Sequence, residues 1–276
     1  MRRARSSMTP TIAIQDVLVP HREIARDIDA CRAVGIEPIR FGLIPFSDVI
    51  SSDDPADLER PAVPFGSTKL VKLWLAGKTP EVWRVYYSAQ NFDQRYWLSQ
   101  IGELALNGPS MARFTELGVI KDTVWKQPVF VKPTDDLKAF AGMVLEAGET
   151  IAGRLAQATQ DSSLSDTQTV LWAPRQEIVC EYRCYMKAPG QLIDASRYRT
   201  GPRADHKPVI REERAILKAF VRRLAERYEP HRFYVVDIGL MPNRSHRVIE
   251  YNCINCSGRY ESDRGKLFKA VMAVVH

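Results

Sequence analysis

Apolar positions along this chain follow two rhythms, and the switch between them falls at recognisable breaks. Thr11-Ile-Ala-Ile opens a run within 11–19 that reads as a strand. Ile24, Ile28, Cys31 and Val34 then share one face of a helix that stops at Gly35. EPIRFGL (37–43) predicts a second strand, and the Ser, Asp and Pro residues of 51–64 predict a loop. A short apolar stretch covers 69–75, and Tyr96, Ile101 and Leu104 give 92–106 helical spacing. Strands alternating with helices predict a partly parallel sheet, so 1–107 is expected to form a first α/β domain.

Asn107-Gly108-Pro109 is a break, after which 110–117 reads as a short helix. PVFVK (128–132) predicts a strand cut by Pro133. A polar loop over 135–142 is expected to run into a helix lasting to about 158, followed by a strand beginning at 170–172. Two hairpins come next. The first pairs 178–186 with 192–198 around Ala188-Pro189-Gly190, and the second pairs 233–240 with 247–252 around 242–245. Between them, 212–228 is an amphipathic helix with Ile216, Leu217, Phe220, Val221 and Leu224 on one side.

Composition narrows the class without fixing it. The 276 residues are 45% apolar and 26% charged, which is ordinary for a soluble globular protein. No apolar run approaches the roughly 18 residues a membrane span requires. The basic start MRRARSS has no apolar core behind it and does not read as a secretion signal. Five cysteines, an odd number, point to reduced thiols and a cytoplasmic location. Cys253 and Cys256 form a C-x-x-C. The other pair, Cys180 and Cys184, would lie about 13 Å apart on one strand, too far for a shared tetrahedral zinc. The net charge of +6 suits polyanionic ligands such as nucleotides, although no long Lys/Arg block is present.

The second hairpin carries the sharpest geometry. With Asn243 and Arg244 as a two-residue turn, Asp237 falls directly opposite Glu250, with Cβ atoms about 5 Å apart. Asn252, two residues on, shares their face. Opposed carboxylates repel, so a positive charge is expected between them. A hard cation such as magnesium, which takes oxygen ligands, fits. In the first hairpin a three-residue turn places Arg183 opposite Ala195 and Glu181 opposite Arg197. Glu181, Arg183, Arg197 and Arg199 are then expected on one face, a cluster suited to a phosphate or carboxylate. Lys132 at the end of an apolar strand, and Lys138 in the polar loop before a helix, are candidate phosphate contacts.

The order of these pieces resembles the ATP-grasp superfamily. The likeness rests on PVFVKPTDDLKAFAG (128–142), VLWAPRQEIVCEYRCYM (170–186), DASRYR (194–199), YVVDIGL (234–240) and VIEYNCINCSGRY (248–260). Its most specific part is an Asp on one hairpin strand followed by Glu-x-Asn on the next, here Asp237 and Glu250-Tyr251-Asn252. Within the superfamily it looks closest to a small clade named for one arginine and two lysines, and FGST (65–68) adds to that likeness. The resemblance implies an α+β fold: an ATP-grasp of two lobes, 108–172 and 173–276, preceded by the α/β domain 1–107. It implies ATP and magnesium as cofactors, with manganese as an alternative. Asp237, Glu250 and Asn252 would hold the metal, Lys132 and Lys138 would contact phosphates, and the hinge including Leu171, Trp172 and Ala173 would read adenine through its backbone. Glu181 is placed among the nucleotide contacts. Arg183 would face the transferring phosphoryl group with Arg197 or Arg199 assisting, and Asn255 and Ser257 would line the acceptor site. In related proteins an acidic residue is expected in or near the hinge, and here the nearest is Glu177.

The implied activity is a carboxylate–amine ligation through an acyl phosphate. Its partners would be small molecules or peptides carrying a carboxylate and an amine, with no membrane and no nucleic acid. Two alternatives stay open at this point: a kinase built on the same grip, and a non-catalytic nucleotide or nucleic-acid binder.

Overall fold

In the computed structural model, residues 9–44, 47–137, 139–157 and 164–274 are described; the basic start of the chain and Lys138 lie outside them. Three sheets organise the chain.

The first holds β1 (Thr11–Gln15), β2 (Ile39–Leu43), β3 (Ile50–Ser51) and β4 (Ala62–Phe65) in the order β3-β2-β1-β4. β1 runs parallel to both β2 and β4, as the alternation of strand and helix predicts, and β3 is a short antiparallel edge. All five residues of β1 are buried, which is why its centre, Ile12-Ala13-Ile14, is apolar without alternation. Helix α1 (His21–Ala33) buries Ile24, Asp27 and Cys31 and ends before Gly35, whose φ of 78° is favourable for glycine. Three helices follow: α2 (Thr68–Leu75), α3 (Ala89–Phe92) and α4 (Gln94–Ile101). Asp93 caps α4 by accepting from the Arg95 N–H, so the expected single helix over 92–106 is broken at its start.

The second sheet contains β5 (Arg113–Glu116), β6 (Val129–Pro133), β7 (Met143–Leu145) and β8 (Thr169–Pro174) in the order β5-β8-β6-β7, all antiparallel, with the short helices α5 (Leu117–Ile120) and α6 (Ile151–Gln157). Two sequence expectations are corrected here. Residues 113–116 form an edge strand on β8 rather than a helix; its mostly exposed side chains give it no apolar alternation to read. The helix expected after the 135–142 loop begins only at Ile151, because 143–145 pairs with β6.

The third sheet, β11-β10-β9-β12-β13, is antiparallel and built from β9 (Cys180–Lys187), β10 (Gln191–Thr200), β11 (Arg203–Pro208), β12 (Phe233–Leu240) and β13 (His246–Asn252). β11 carries no strand pattern in the sequence, since RADHKP is almost wholly exposed and polar; its pairing with β10 makes it a strand. One face of this sheet packs Cys184, Tyr182, Val236, Ile238 and Tyr251 into one core with Leu217, Phe220, Val221 and Leu224 of α7 (Arg211–Ala225). The chain closes with α8 (Arg264–Met272), whose Leu267, Phe268 and Val271 share a core with β1, α1 and β12.

A buried ionic cluster joins α1 to the 259–264 segment near the end of the sequence. Asp27 on α1 is fully buried. It accepts from both Nε and a terminal nitrogen of Arg259, and from Arg264 at 2.5 Å. Arg264 also reaches Glu23 at 2.5 Å, and Arg26 pairs with Glu261. Removing the carboxylate strands two guanidiniums in a low-dielectric setting. Asp27→Ala is therefore expected to cost about 3–5 kcal/mol in denaturant unfolding, the range for breaking a buried pair; a loss below about 1 kcal/mol would show that the cluster contributes no more than a surface pair.

Candidate active site

Strand alternation sends Glu181 and Arg183 of β9, Asp237 of β12, and Glu250 and Asn252 of β13 to the sheet face opposite α7. Asp237 pairs with Glu250 on one side and with Arg183 on the other, while Asn252 lies opposite Val235. The expected juxtaposition is present, but it is reached by a different route. The connection is longer than two residues: Leu240 pairs with His246, Met241 N–H donates to the Ser245 carbonyl, and Arg244 takes a φ of 64°. A bulge at Ile249 then restores the register before Glu250.

Asp237 is only 1% exposed. Arg183 grips it from two directions, Nε to Oδ1 at 2.8 Å and a terminal nitrogen to Oδ2 at 2.7 Å, and the Asn252 amide donates to Oδ2 at 3.1 Å. Lys132 crosses from β6 to Glu250, Nζ to Oε2 at 2.6 Å. The positive charge that opposed carboxylates require is thus supplied by a guanidinium and an ammonium. Burial works to depress the Arg183 pKa, but the charge and hydrogen bonds of Asp237 outweigh it and hold it well above the ordinary arginine value.

Two carboxylates and a carboxamide form a hard-oxygen donor set of the kind magnesium prefers. The residues fit the ion on that chemistry. Among the described residues, no group of three or more His, Cys, Asp and Glu side chains is placed to hold a metal; the third donor of the candidate set is an asparagine.

The basic hairpin departs from expectation. Bulges near Ile193 and Tyr198 shift β10, so Arg183 pairs with Ser196, Glu181 with Arg199, and Arg197 with Tyr182. Arg197 therefore leaves the Arg183 face and engages Asp205 (3.2 Å) and Glu213 (3.5 Å). Arg199 keeps to that face, 3.6 Å from Glu181. The Tyr198 hydroxyl donates to Glu181 at 2.5 Å.

The hinge also moves. Leu171 and Trp172 are paired on both sides, by β5 and by β6, so their backbone groups are committed to the sheet. Ala173 pairs with Phe130. The side chains of Leu171 and Ala173 lie on the Lys132 face, whereas Trp172 packs on Trp125 at 5.0 Å on the other. The link between the two sheets is 175–179, which shares only Arg175 with the expected hinge of 170–175.

Asn255 and Ser257, expected at the acceptor site, are both turned inward. Asn255 accepts from the Tyr86 N–H (2.8 Å) and donates to the Pro64 carbonyl (2.7 Å), which staples the first domain to the third sheet. Ser257 donates to the Cys253 carbonyl at 2.7 Å. Cys253 is fully buried, and burial first, then Cys256, push its thiol well above the usual range. Sequence reading missed three neighbours of the site. Asp136 accepts from the Cys253 N–H at 2.6 Å, and Tyr198 and Tyr260 stack with centroids 5.2 Å apart. A DD pair before a helix-like run marked Asp136 only as loop, and no spacing rule links Tyr198 to Tyr260.

Burial raises the pKa of Glu181, and the nearby Asp237 and Glu250 add to the rise, while the Tyr198 bond and Arg199 oppose it. The folded state thus holds the Glu181 proton more tightly than the unfolded chain. Stability from this group is full below the unfolded value and declines as pH rises through the folded one. Glu181→Gln removes that decline. Its melting temperature relative to the parent protein should climb between about pH 4 and about pH 7; a difference that is flat or falls across this window would contradict the assignment.

Comparison with known proteins bears on the family and the fold. A family model described as the ATP-grasp domain, R2K clade family 2, matches residues 111–270. No curated protein compared with the chain matches it. Among solved structures, D-cycloserine synthetase DcsG is similar at 17% identity with a TM-score of 0.60, over 97% of this chain and 100% of its own. D-alanyl-alanine synthetase A from Vibrio cholerae O1 biovar eltor aligns at 13% identity and TM-score 0.54, over 95% of this chain and 94% of its own. The ATP-grasp ligase PsnB, solved with a phosphomimetic variant of its minimal precursor, Mg and ADP, aligns at 15% and 0.51, over 98% of this chain and 100% of its own. At such identities these structures speak for the fold. The family model spans more than half of the sequence, and on that ground the chain belongs to the ATP-grasp superfamily, in family 2 of the R2K clade.

Proposed function

We propose that this protein is an ATP- and magnesium-dependent ligase that joins a carboxylate to an amine. The observation that carries the reading is the convergence of Asp237, Glu250 and Asn252 with Arg183 and Lys132, drawn from two sheets onto one sheet face. In the first step a substrate carboxylate oxygen attacks the γ-phosphorus of ATP. The bond from that phosphorus to the bridging oxygen breaks, ADP leaves, and an acyl phosphate remains. In the second, an amine nitrogen attacks the acyl carbon and loses a proton; inorganic phosphate departs and an amide is left.

Magnesium, held by Asp237, Glu250 and Asn252, would neutralise charge on the phosphates. The chain's own contribution is positioning and electrostatics. Lys132, already within 2.6 Å of Glu250, supplies a cation from the opposite lobe. Arg183 is held by Asp237 and keeps further N–H groups for an oxygen on the transferring phosphoryl group. Arg199, half-exposed beside Glu181, is the better placed of the two accessory arginines, since Arg197 lies on the far face. Leu171 and Ala173 line the Lys132 side of the cleft, and the adenine-reading backbone belongs to 175–179. Lys138, outside the described residues, keeps its proposed role as a phosphate contact. The substrates are a small molecule or peptide bearing the carboxylate and a second bearing the amine.

The structure changes which variant tests this best. Asp237→Asn would leave Arg183 buried beside a neutral amide, so it alters folding as well as chemistry. Glu250, with its side chain 16% exposed against 1% for Asp237, is less deeply enclosed, and Glu250→Gln keeps an acceptor for Lys132 while removing a metal charge. A screen of phosphate release from ATP against amino acids and amines, with mass spectrometry of products, should reveal an amide product. With that substrate pair, Glu250→Gln should lose at least about 100-fold in turnover while retaining its melting transition. Turnover within about threefold of the parent would sink the assignment. A stable phosphorylated product formed with no amine requirement would make the protein a kinase instead.

A further inference from the structure

We infer that Tyr260 is a positioning residue for Arg183, a role that rests on the ligase reading only through what Arg183 does there. The guanidinium carbon of Arg183 lies 5.1 Å from the centroid of the Tyr260 ring and 5.6 Å from that of Tyr198. The two rings are nearly parallel, at 10°. Aromatic faces attract a cation and restrict the tilt of a planar one. A third hold comes from the backbone beside Tyr260: the Gly258 carbonyl accepts from Arg183 at 3.3 Å and from the Tyr185 hydroxyl at 2.6 Å. Asp237 fixes one edge of the guanidinium, Gly258 a second point, and the stacked rings its tilt.

Tyr260 takes a backbone conformation that tyrosine disfavours, with φ of 44°. The neighbouring residues hold it there. Arg259 and Arg264 on either side are both anchored on the buried Asp27, and Arg264 also donates to the Tyr260 carbonyl at 3.2 Å. A strained residue, clamped from a distant helix and placed against a cation of the candidate site, is the pattern expected where geometry serves chemistry. The His206 ring, 4.6 Å from Tyr260, adds a further aromatic contact from β11.

The test uses two variants of the full chain and two readouts. Tyr260→Gly suits the backbone and removes the ring; Tyr260→Phe keeps the ring. By NMR, the Arg183 side-chain N–H signals, assigned with Arg183→Lys, should be resolved in the parent and in Tyr260→Phe, and averaged by rotation in Tyr260→Gly. With the substrate pair from the phosphate-release screen, Tyr260→Gly should lose about 10–100-fold in kcat with the KM for ATP within about threefold, and Tyr260→Phe should recover most of that loss. The melting temperature of Tyr260→Gly should equal or exceed that of the parent. Resolved Arg183 signals with kcat within about twofold in Tyr260→Gly would overturn the inference and leave the ligase reading standing. A Tyr260→Gly variant that melts well below the parent would overturn it too, making the ring a packing element. Should the parent show no ligation at all, the ligase reading falls, and the NMR result still decides whether Tyr260 fixes Arg183.

Discussion

A carboxylate buried as deeply as Asp237 stays ionised only beside a partner of opposite charge, and Arg183 directly across the strand pair is that partner. This pairing sets the rest of the site. It requires β9 and β12 to be neighbours in register, which puts Glu250 of β13 on Asp237's other flank. Glu250 in turn brings in Lys132 from another sheet. Two adjacent acids are thus flanked by a base on either side, and the asparagine amide donates a further hydrogen bond to Asp237. The cluster combines carboxylate and carboxamide oxygens, which suit a hard cation, with guanidinium and ammonium protons, which suit an anion. A site for a metal–polyphosphate pair needs both.

The three sheets are tied to this face by a few buried polar contacts. Asn255 pins the first domain through Tyr86 and Pro64, Asp136 caps the backbone just after Asn252, and Asp27 holds the 259–264 segment through two arginines. Each of these replaces hydration that a buried polar group has lost, so each fixes a distance rather than adding much net stability. The site inherits its precision from them: the segment that carries Tyr260 and the Gly258 carbonyl is fixed from outside the sheet.

How far the sequence revealed this depends on the residue. Asp237 and Glu250 could be paired from strand period and hairpin symmetry, although the turn was longer than expected and a bulge compensated. No such compensation occurred in the first hairpin. There the bulges near Ile193 and Tyr198 sent Arg197 to the far face, and bulges leave little mark in a single sequence. β5 and β11 were missed because edge strands with exposed side chains carry no apolar alternation. Asn255 and Ser257 were read as acceptor groups from their place after the metal asparagine. Asn255 is taken up by a tertiary contact, the Pro64 carbonyl and the Tyr86 N–H, and Ser257 by a local one, the Cys253 carbonyl four residues before it. The β1–α1–β2 pattern and the apolar face of α7 were legible because burial enforces them locally.

The most direct test of the account is a crystal structure of the protein with Mn2+ and a non-hydrolysable ATP analogue, using the anomalous signal to place the metal. The account predicts manganese bound by oxygens of Asp237, Glu250 and Asn252, with Lys132 turned from Glu250 toward a phosphate and Arg183 still held by Asp237. Nucleotide bound in the cleft with the metal elsewhere, and with the Lys132–Glu250 pair intact, would contradict it.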